Sequence, residues 1–223
     1  MMARRFTILP LAVLLAAACG GSQDTGTKPP GGGDTGNGGG TPAADAGVKT
    51  GGGDTGGTDP GQGLGQAPDA TVLAEGGAHV QLSSAWLSGT AVLVFSRGHW
   101  CPFCIRQLTE FAQNNKKVEE MGAKIVAITS DPEDPPKIRE KIKAKGVDVG
   151  FTIYSDPDLA AIKAYDVLDA GNNIAKPATV IVDQSGKVVF RYAGDNAADT
   201  VLIAVVLSEL QKVNDAAKKH ASR

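Results

Sequence analysis

An α/β domain with a central mixed β-sheet flanked by helices, preceded by an N-terminal hairpin, is predicted for residues 67–217 of this 223-residue chain. Two observations carry that prediction. Short apolar runs suited to buried strands alternate with stretches in which apolar residues recur at helical spacing. The last two runs are joined by a four-residue turn, which makes them antiparallel neighbours and the sheet mixed.

The elements follow in order. Residues 71–73 and 79–82 flank Glu75-Gly76-Gly77 and form the small hairpin. Residues 91–95 (AVLVF) are continuously apolar, as in a strand buried on both faces. Beyond Cys104, the side chains of Ile105, Leu108, Phe111 and Ala112 share one helical face, and Gly122 ends that helix. Residues 124–129 (KIVAIT) make a second buried strand. Pro135-Pro136 opens a charged helix over 137–145 whose basic face is solvated. Residues 151–154 form a short strand, and Asp158 caps a helix reaching Asp166. Residues 178–182 and 187–192 are joined by Asp183-Gln184-Ser185-Gly186. A last helix from about Ala197 buries Leu202, Val206 and Leu210, and residues 218–223 remain as a polar tail.

The N-terminal part has a different character. Of 29 glycines, 19 fall between Gly20 and Gly65, so the glycine excess belongs to one segment and not to the domain. Within residues 20–66 only Val48 and Leu64 are large apolar side chains, too little burial to offset the entropy of ordering. That segment is a tether, with a mean span of roughly 35–40 Å as a flexible coil. Before it, Arg4 and Arg5 lead into an apolar run at 6–18, too short for a bilayer-spanning helix but suited to a secretory signal. The run ends in Leu15-Ala16-Ala17-Ala18-Cys19-Gly20, which resembles a bacterial lipoprotein signal. The resemblance implies a signal peptide over 1–18, lipidation of Cys19, and a mature protein anchored to the lipid bilayer through it. It further implies an extracytoplasmic location, on the periplasmic side of the outer membrane in a Gram-negative cell.

From residue 67 onward the chain carries 18 basic and 19 acidic residues. No basic surplus exists to neutralise a phosphate backbone, which argues against nucleic acid as a partner.

The chemistry centres on Cys101-Pro102-Phe103-Cys104, the only cysteines of the predicted domain, set between a buried strand and a helix start. Unpaired N–H groups and the positive dipole end of a helix stabilise a thiolate and lower a thiol pKa. Cys101 is then the nucleophile toward a disulfide or peroxide, and Cys104 resolves the intermediate by closing an internal disulfide. Pro102 suits the first helical turn. A purely structural bridge from i to i+3 closes too short a loop to stabilise much. Structural zinc needs four ligands, and His79 and His99 with these two cysteines lack the paired spacing. No metal or other cofactor is expected beyond the redox-active cysteine pair.

Several motifs together resemble the thioredoxin-like superfamily in its AhpC/TSA–redoxin branch. They are Ala67-Pro68-Asp69, Gly89 before the first buried strand, residues 97–104 (RGHWCPFC), residues 176–183 (KPATVIVD) and Gly186-Lys187-Val188. The resemblance implies a thioredoxin-like fold and thiol-dependent redox chemistry. It also implies roles for neighbours of the cysteines. Trp100 covers the rim of the site; Pro177 matches the cis-proline that lines the thioredoxin substrate groove, with Lys176 beside it. His99, Arg97 and Arg106 are auxiliary candidates that stabilise a thiolate or move a proton.

The peroxide-reducing members of the superfamily carry a P-x-x-x-T-x-x-C motif. Aligned on it, Arg97 stands for the proline, Cys101 for the threonine and Pro177 for the peroxide-binding arginine. The buried acid that thioredoxins keep six residues before the first cysteine is replaced by Phe95. The leading expectation is therefore an exported thiol–disulfide oxidoreductase whose partners are protein disulfide or thiol clients and a thiol reductant. The alternative is a peroxiredoxin-like peroxidase acting on small hydroperoxides. A third, a Sco-like copper chaperone, is disfavoured because those proteins use CxxxC and a later histidine, whereas the only later histidine here is His220.

Overall fold

A computed structural model describes residues 65–222. The signal, Cys19 and nearly all of the tether lie outside them. Two short strands, β1 (Thr71–Leu73) and β2 (His79–Gln81), form the N-terminal hairpin, followed by one turn of 3-10 helix at Leu82–Ala85. Strand β3 (Thr90–Ser96) leads through a loop to α1 (Pro102–Glu120), then β4 (Ala123–Thr129), α2 (Asp134–Lys143), β5 (Thr152–Ser155) and α3 (Ala160–Ala164). A two-stranded ribbon of β6 (Leu168–Asp169) and β7 (Ile174–Ala175) precedes β8 (Ala178–Val182), β9 (Val188–Ala193) and α4 (Ile203–Ala221).

The main sheet has seven strands in the order β2-β1-β5-β4-β3-β8-β9. Strands β3, β4 and β5 are parallel, as the crossovers through α1 and α2 require, and every other pairing is antiparallel. The sheet is mixed, as the sequence predicts. Alternate residues of β3 feed two cores. Val92 and Val94 pack with Leu108 and Phe111 of α1, Ile138 and Ile142 of α2, and Val206 and Leu210 of α4. Leu93 and Phe95 pack on the opposite face with Ile162, Tyr165 and Val180. Both faces of the central strands are covered, which is why β3 and β4 read as unbroken apolar runs.

Helix α1 buries Ile105, Leu108, Phe111, Ala112, Asn115 and Val118 along one stripe. Gly122 follows with φ of 74°, a left-handed conformation that turns the chain directly into β4.

Five expectations need correction. The cap of α3 is Asp156 and not Asp158: its buried carboxylate accepts the backbone N–H of Ala160 at 2.9 Å and of Ile162 at 2.8 Å. Asp156 wins because it leaves β5 directly beneath the helix, while Leu159 turns left-handed (φ 57°) to enter it. That helix stops at Ala164, and Asp166, also left-handed at φ 53°, lies beyond it. The last helix starts at Ile203, because the stretch before it is held by Asp199, which bonds the Tyr192 hydroxyl and the Asp195 N–H. Leu202 is consequently 61% exposed, and Val201 and Ile203 take its place in the core. The same helix runs on to Ala221, through most of the segment read as a polar tail.

Candidate active site

The loop after β3 brings the two cysteines to the start of α1. Cys101 is the residue capping that helix, with extended backbone (φ −83°, ψ 110°), and Pro102 occupies the first turn. The Cys101 sulfur accepts the Cys104 backbone N–H at 3.2 Å, and the Cys101 carbonyl accepts that of Ile105 at 3.0 Å. Both cysteines are free thiols and only 1% exposed.

Their acidities are driven apart. A hydrogen bond from the Cys104 thiol lowers the pKa of Cys101 to about 6, aided by the Cys104 N–H and the Arg97 charge and opposed by burial. Cys104 is pushed strongly upward, first by its bond to the Cys101 sulfur and then by burial. One thiolate and one thiol share a proton's worth of hydrogen bonding, and the thiolate is the one at the helix terminus.

The predicted neighbours take distinct places. Arg97 lies 5.2 Å over the ring of Trp100 and pairs with Asp169 on β6 at 3.7 Å. Trp100 is half exposed at the rim, and Phe103 beside it is also exposed. Buried Pro177 and exposed Lys176 line a groove of about 310 Å³ together with Arg97 and Asp169. Arg106 is exposed, its guanidinium lying 5.4 Å over the Phe103 ring. His99 is drawn inward: its backbone N–H and its ring Nδ1 both meet the Asp134 carboxylate.

Asp134, Thr129 and Ser96 escaped the sequence reading. Asp134, at the start of α2, is buried and also accepts the Thr129 hydroxyl from the end of β4. Its linear distance from the cysteines hides it, and in the sequence it is only the residue before Pro135-Pro136. Ser96, the last residue of β3 and the register partner of Thr129, has a buried hydroxyl without a hydrogen bond of normal geometry. That hydroxyl neighbours Cys104 and exerts a minor downward pull on its pKa. Phe95 is buried on the opposite face against Tyr165, their ring centroids 5.2 Å apart, so no acid approaches Cys104 from that position. Among the described residues no cluster of three or more His, Cys, Asp or Glu side chains is arranged to hold a metal ion.

Comparison with known proteins agrees with this geometry. The model of the AhpC/TSA family matches residues 64–191. A protein named thiol-disulfide oxidoreductase ResA from Bacillus thuringiensis subsp. konkukian is 26% identical over 134 residues, spanning 60% of this chain and 71% of that one. The Bacillus subtilis protein of the same name is 28% identical over 123 residues, 55% of this chain and 63% of the other. Among solved structures, peroxidoxin BcpB of Mycobacterium tuberculosis superposes with a TM-score of 0.58 at 20% identity, covering 68% of this chain and 98% of that one. A yeast mitochondrial 1-Cys peroxiredoxin superposes with a TM-score of 0.62 at 18% identity, covering 70% and 78%. These structural likenesses concern the fold.

Proposed function

This chain belongs to the AhpC/TSA family, and from that premise we propose that it is an exported thiol–disulfide oxidoreductase, lipid-anchored through Cys19, that exchanges its Cys101–Cys104 dithiol with protein disulfides. The observation that carries the reading is the split between the two thiols. Cys101 caps α1 with a pKa of about 6, and Cys104 is held protonated one turn later.

The reaction follows from that split. The Cys101 thiolate attacks one sulfur of a client disulfide, forming a mixed disulfide and releasing the other client sulfur as a thiolate. Cys104 then loses its proton and attacks the Cys101 sulfur, closing the internal disulfide and releasing the second client sulfur. Two electrons pass from the dithiol to the client, and the reverse sequence oxidises a client dithiol. Trp100 and Phe103 supply an exposed apolar rim, and the groove lined by Lys176 and Pro177 supports docking of an extended client segment.

The peroxidase reading draws on the peroxiredoxin-like fold alone. At the site, Pro177 occupies the position expected of a peroxide-binding arginine, and Arg97 is already engaged by Asp169 and Trp100. The anchor rests on the N-terminal sequence, and mass analysis of the membrane-extracted N-terminal peptide tests it: an unmodified Cys19 removes that part of the reading.

The central test uses the full-length reduced protein. Treatment with glutathione buffers of defined ratio is expected to form the Cys101–Cys104 bridge reversibly, as read by peptide mass. Cys104→Ser is expected to accumulate the mixed disulfide and Cys101→Ser to lose exchange altogether. A rate of thiol loss to hydrogen peroxide far above that of free cysteine, with no exchange on protein disulfides, would overturn the reading in favour of a peroxidase.

A further inference from the structure

We propose that Asp134 is a positioning residue that holds His99 as the proton carrier of the thiol site, an inference that rests on the thiol–disulfide reading above. Asp134 is only 1% exposed, and a buried carboxylate persists where donors surround it. It has three: the His99 backbone N–H at 3.0 Å, the His99 ring Nδ1, and the Thr129 hydroxyl. A carboxylate only accepts, so Nδ1 carries the hydrogen and Nε2 is the basic nitrogen of the neutral ring.

The backbone fixes where that ring sits. The Cys101 N–H donates to the Gly98 carbonyl at 3.2 Å, so His99 and Trp100 are the two corner residues of a turn that ends on the nucleophile. Gly98 has φ of 138°, and a Cβ there would stand 2.8 Å from both Asp134 Oδ2 and Trp100 Nε1. Carboxylate, turn and indole are packed without spare room. The His99 side chain nevertheless keeps 26% of its surface, so the ring is held by a buried anchor and still reaches solvent. The charged groups around this pair are Arg97 from the loop, Asp131 and Glu133 before α2, Lys137 on α2, and Asp169 beyond Arg97.

The reaction needs such a carrier. Over one cycle a thiolate and a thiol become a disulfide, the client disulfide becomes a thiolate and a thiol, and one proton leaves Cys104 for the client. With Phe95 turned into the opposite core, β3 offers no acid to receive it. His99 takes that proton and returns it to the departing client sulfur.

The test begins on the wild-type full-length chain. Long-range proton–nitrogen correlation on its histidines is expected to show His99 with hydrogen on Nδ1 at high pH. Exchange is then measured from pH 5 to 9 with two probes. Oxidised glutathione releases an alkyl thiolate that needs a proton, and an aromatic disulfide releases a thiolate that leaves without one. His99→Gln and Asp134→Asn are each expected to slow glutathione exchange by roughly 10²-fold and to remove the same inflection from the pH curve. The first release from the aromatic disulfide should keep its wild-type rate, which a merely structural disturbance would not spare. The double variant should lose no more than either single one. Should Asp134→Asn fail to fold, the tautomer and His99→Gln decide the matter. An Nε2–H tautomer, or His99→Gln exchanging like wild type with both probes, overturns the proposal alone. A wild-type chain that never forms the Cys101–Cys104 bridge sinks the underlying reading with it.

Discussion

The sulfur of Cys101 accepts the backbone N–H of Cys104 at 3.2 Å, so the proposed nucleophile caps the helix that carries its proposed resolving partner. The capping contact also favours the thiolate. The N–H left unpaired by helix geometry adds to the larger pull of the Cys104 thiol in stabilising the thiolate.

A pH dependence follows. Alkylation of the reduced protein by iodoacetamide is expected to be confined to Cys101 at neutral pH, with an inflection near 6. Folding lowers this pKa from its ordinary 9.0 to about 6, so the folded chain holds the proton less tightly than the unfolded chain between those values. The resulting stability of the reduced form is fully present above pH 9, shrinks as pH falls, and is gone below about 6. Cys104, shifted upward, opposes this only above its ordinary value. Urea midpoints of the reduced chain across this range check the sign. A midpoint that falls from pH 6 to pH 8 contradicts it.

Arg97→Gln removes a charge that favours the Cys101 thiolate and also frees Asp169 and Trp100. Alkylation of Cys101 at pH 6 should slow several-fold, with little change at pH 9, where the thiol ionises regardless. Equal slowing at both values would assign Arg97 to access and not to acidity.

Asp156→Ala leaves the N–H groups of Ala160 and Ile162 without their acceptor at the buried entry to α3. The expected loss is about 1–3 kcal/mol of unfolding free energy with an unchanged denaturant slope. Asp158→Ala, by contrast, should be close to neutral, because its carboxylate caps nothing. Chemical denaturation of the two variants side by side distinguishes them.

Gly98→Ala forces a Cβ against Asp134 and Trp100 from a backbone conformation that suits glycine. A cost of roughly 1–3 kcal/mol is expected, together with slower exchange. Full activity in this variant would show that the turn before Cys101 has slack.

The sequence read alone is sufficient for most of the frame, and the reason is local. Strands β3 and β4 announce themselves as apolar runs, α1 by its stripe from Ile105 to Ala112, and the β8–β9 hairpin by its turn residues. Cys101 and Cys104 were legible for the same reason, since a strand exit, a proline and two cysteines lie within a few positions. Element ends were less so. Asp156 and Asp158 are both plausible caps by type, and only the path of the chain out of β5 selects between them. The β6–β7 ribbon, with two residues per strand, is too short to show a period at all.

Tertiary structure decided what surrounds the sulfurs. Residues 35 positions apart in the chain, His99 and Asp134, meet because β3 and β4 are parallel neighbours and both loops leave the same end of the sheet. Thr129 joins them as the last residue of β4, opposite Ser96 at the end of β3. Sequence spacing determines which thiols are paired, because a helix start is a local event. It does not determine which buried carboxylate, hydroxyl or imidazole the sheet brings beside them, because that depends on strand order and register across the whole domain.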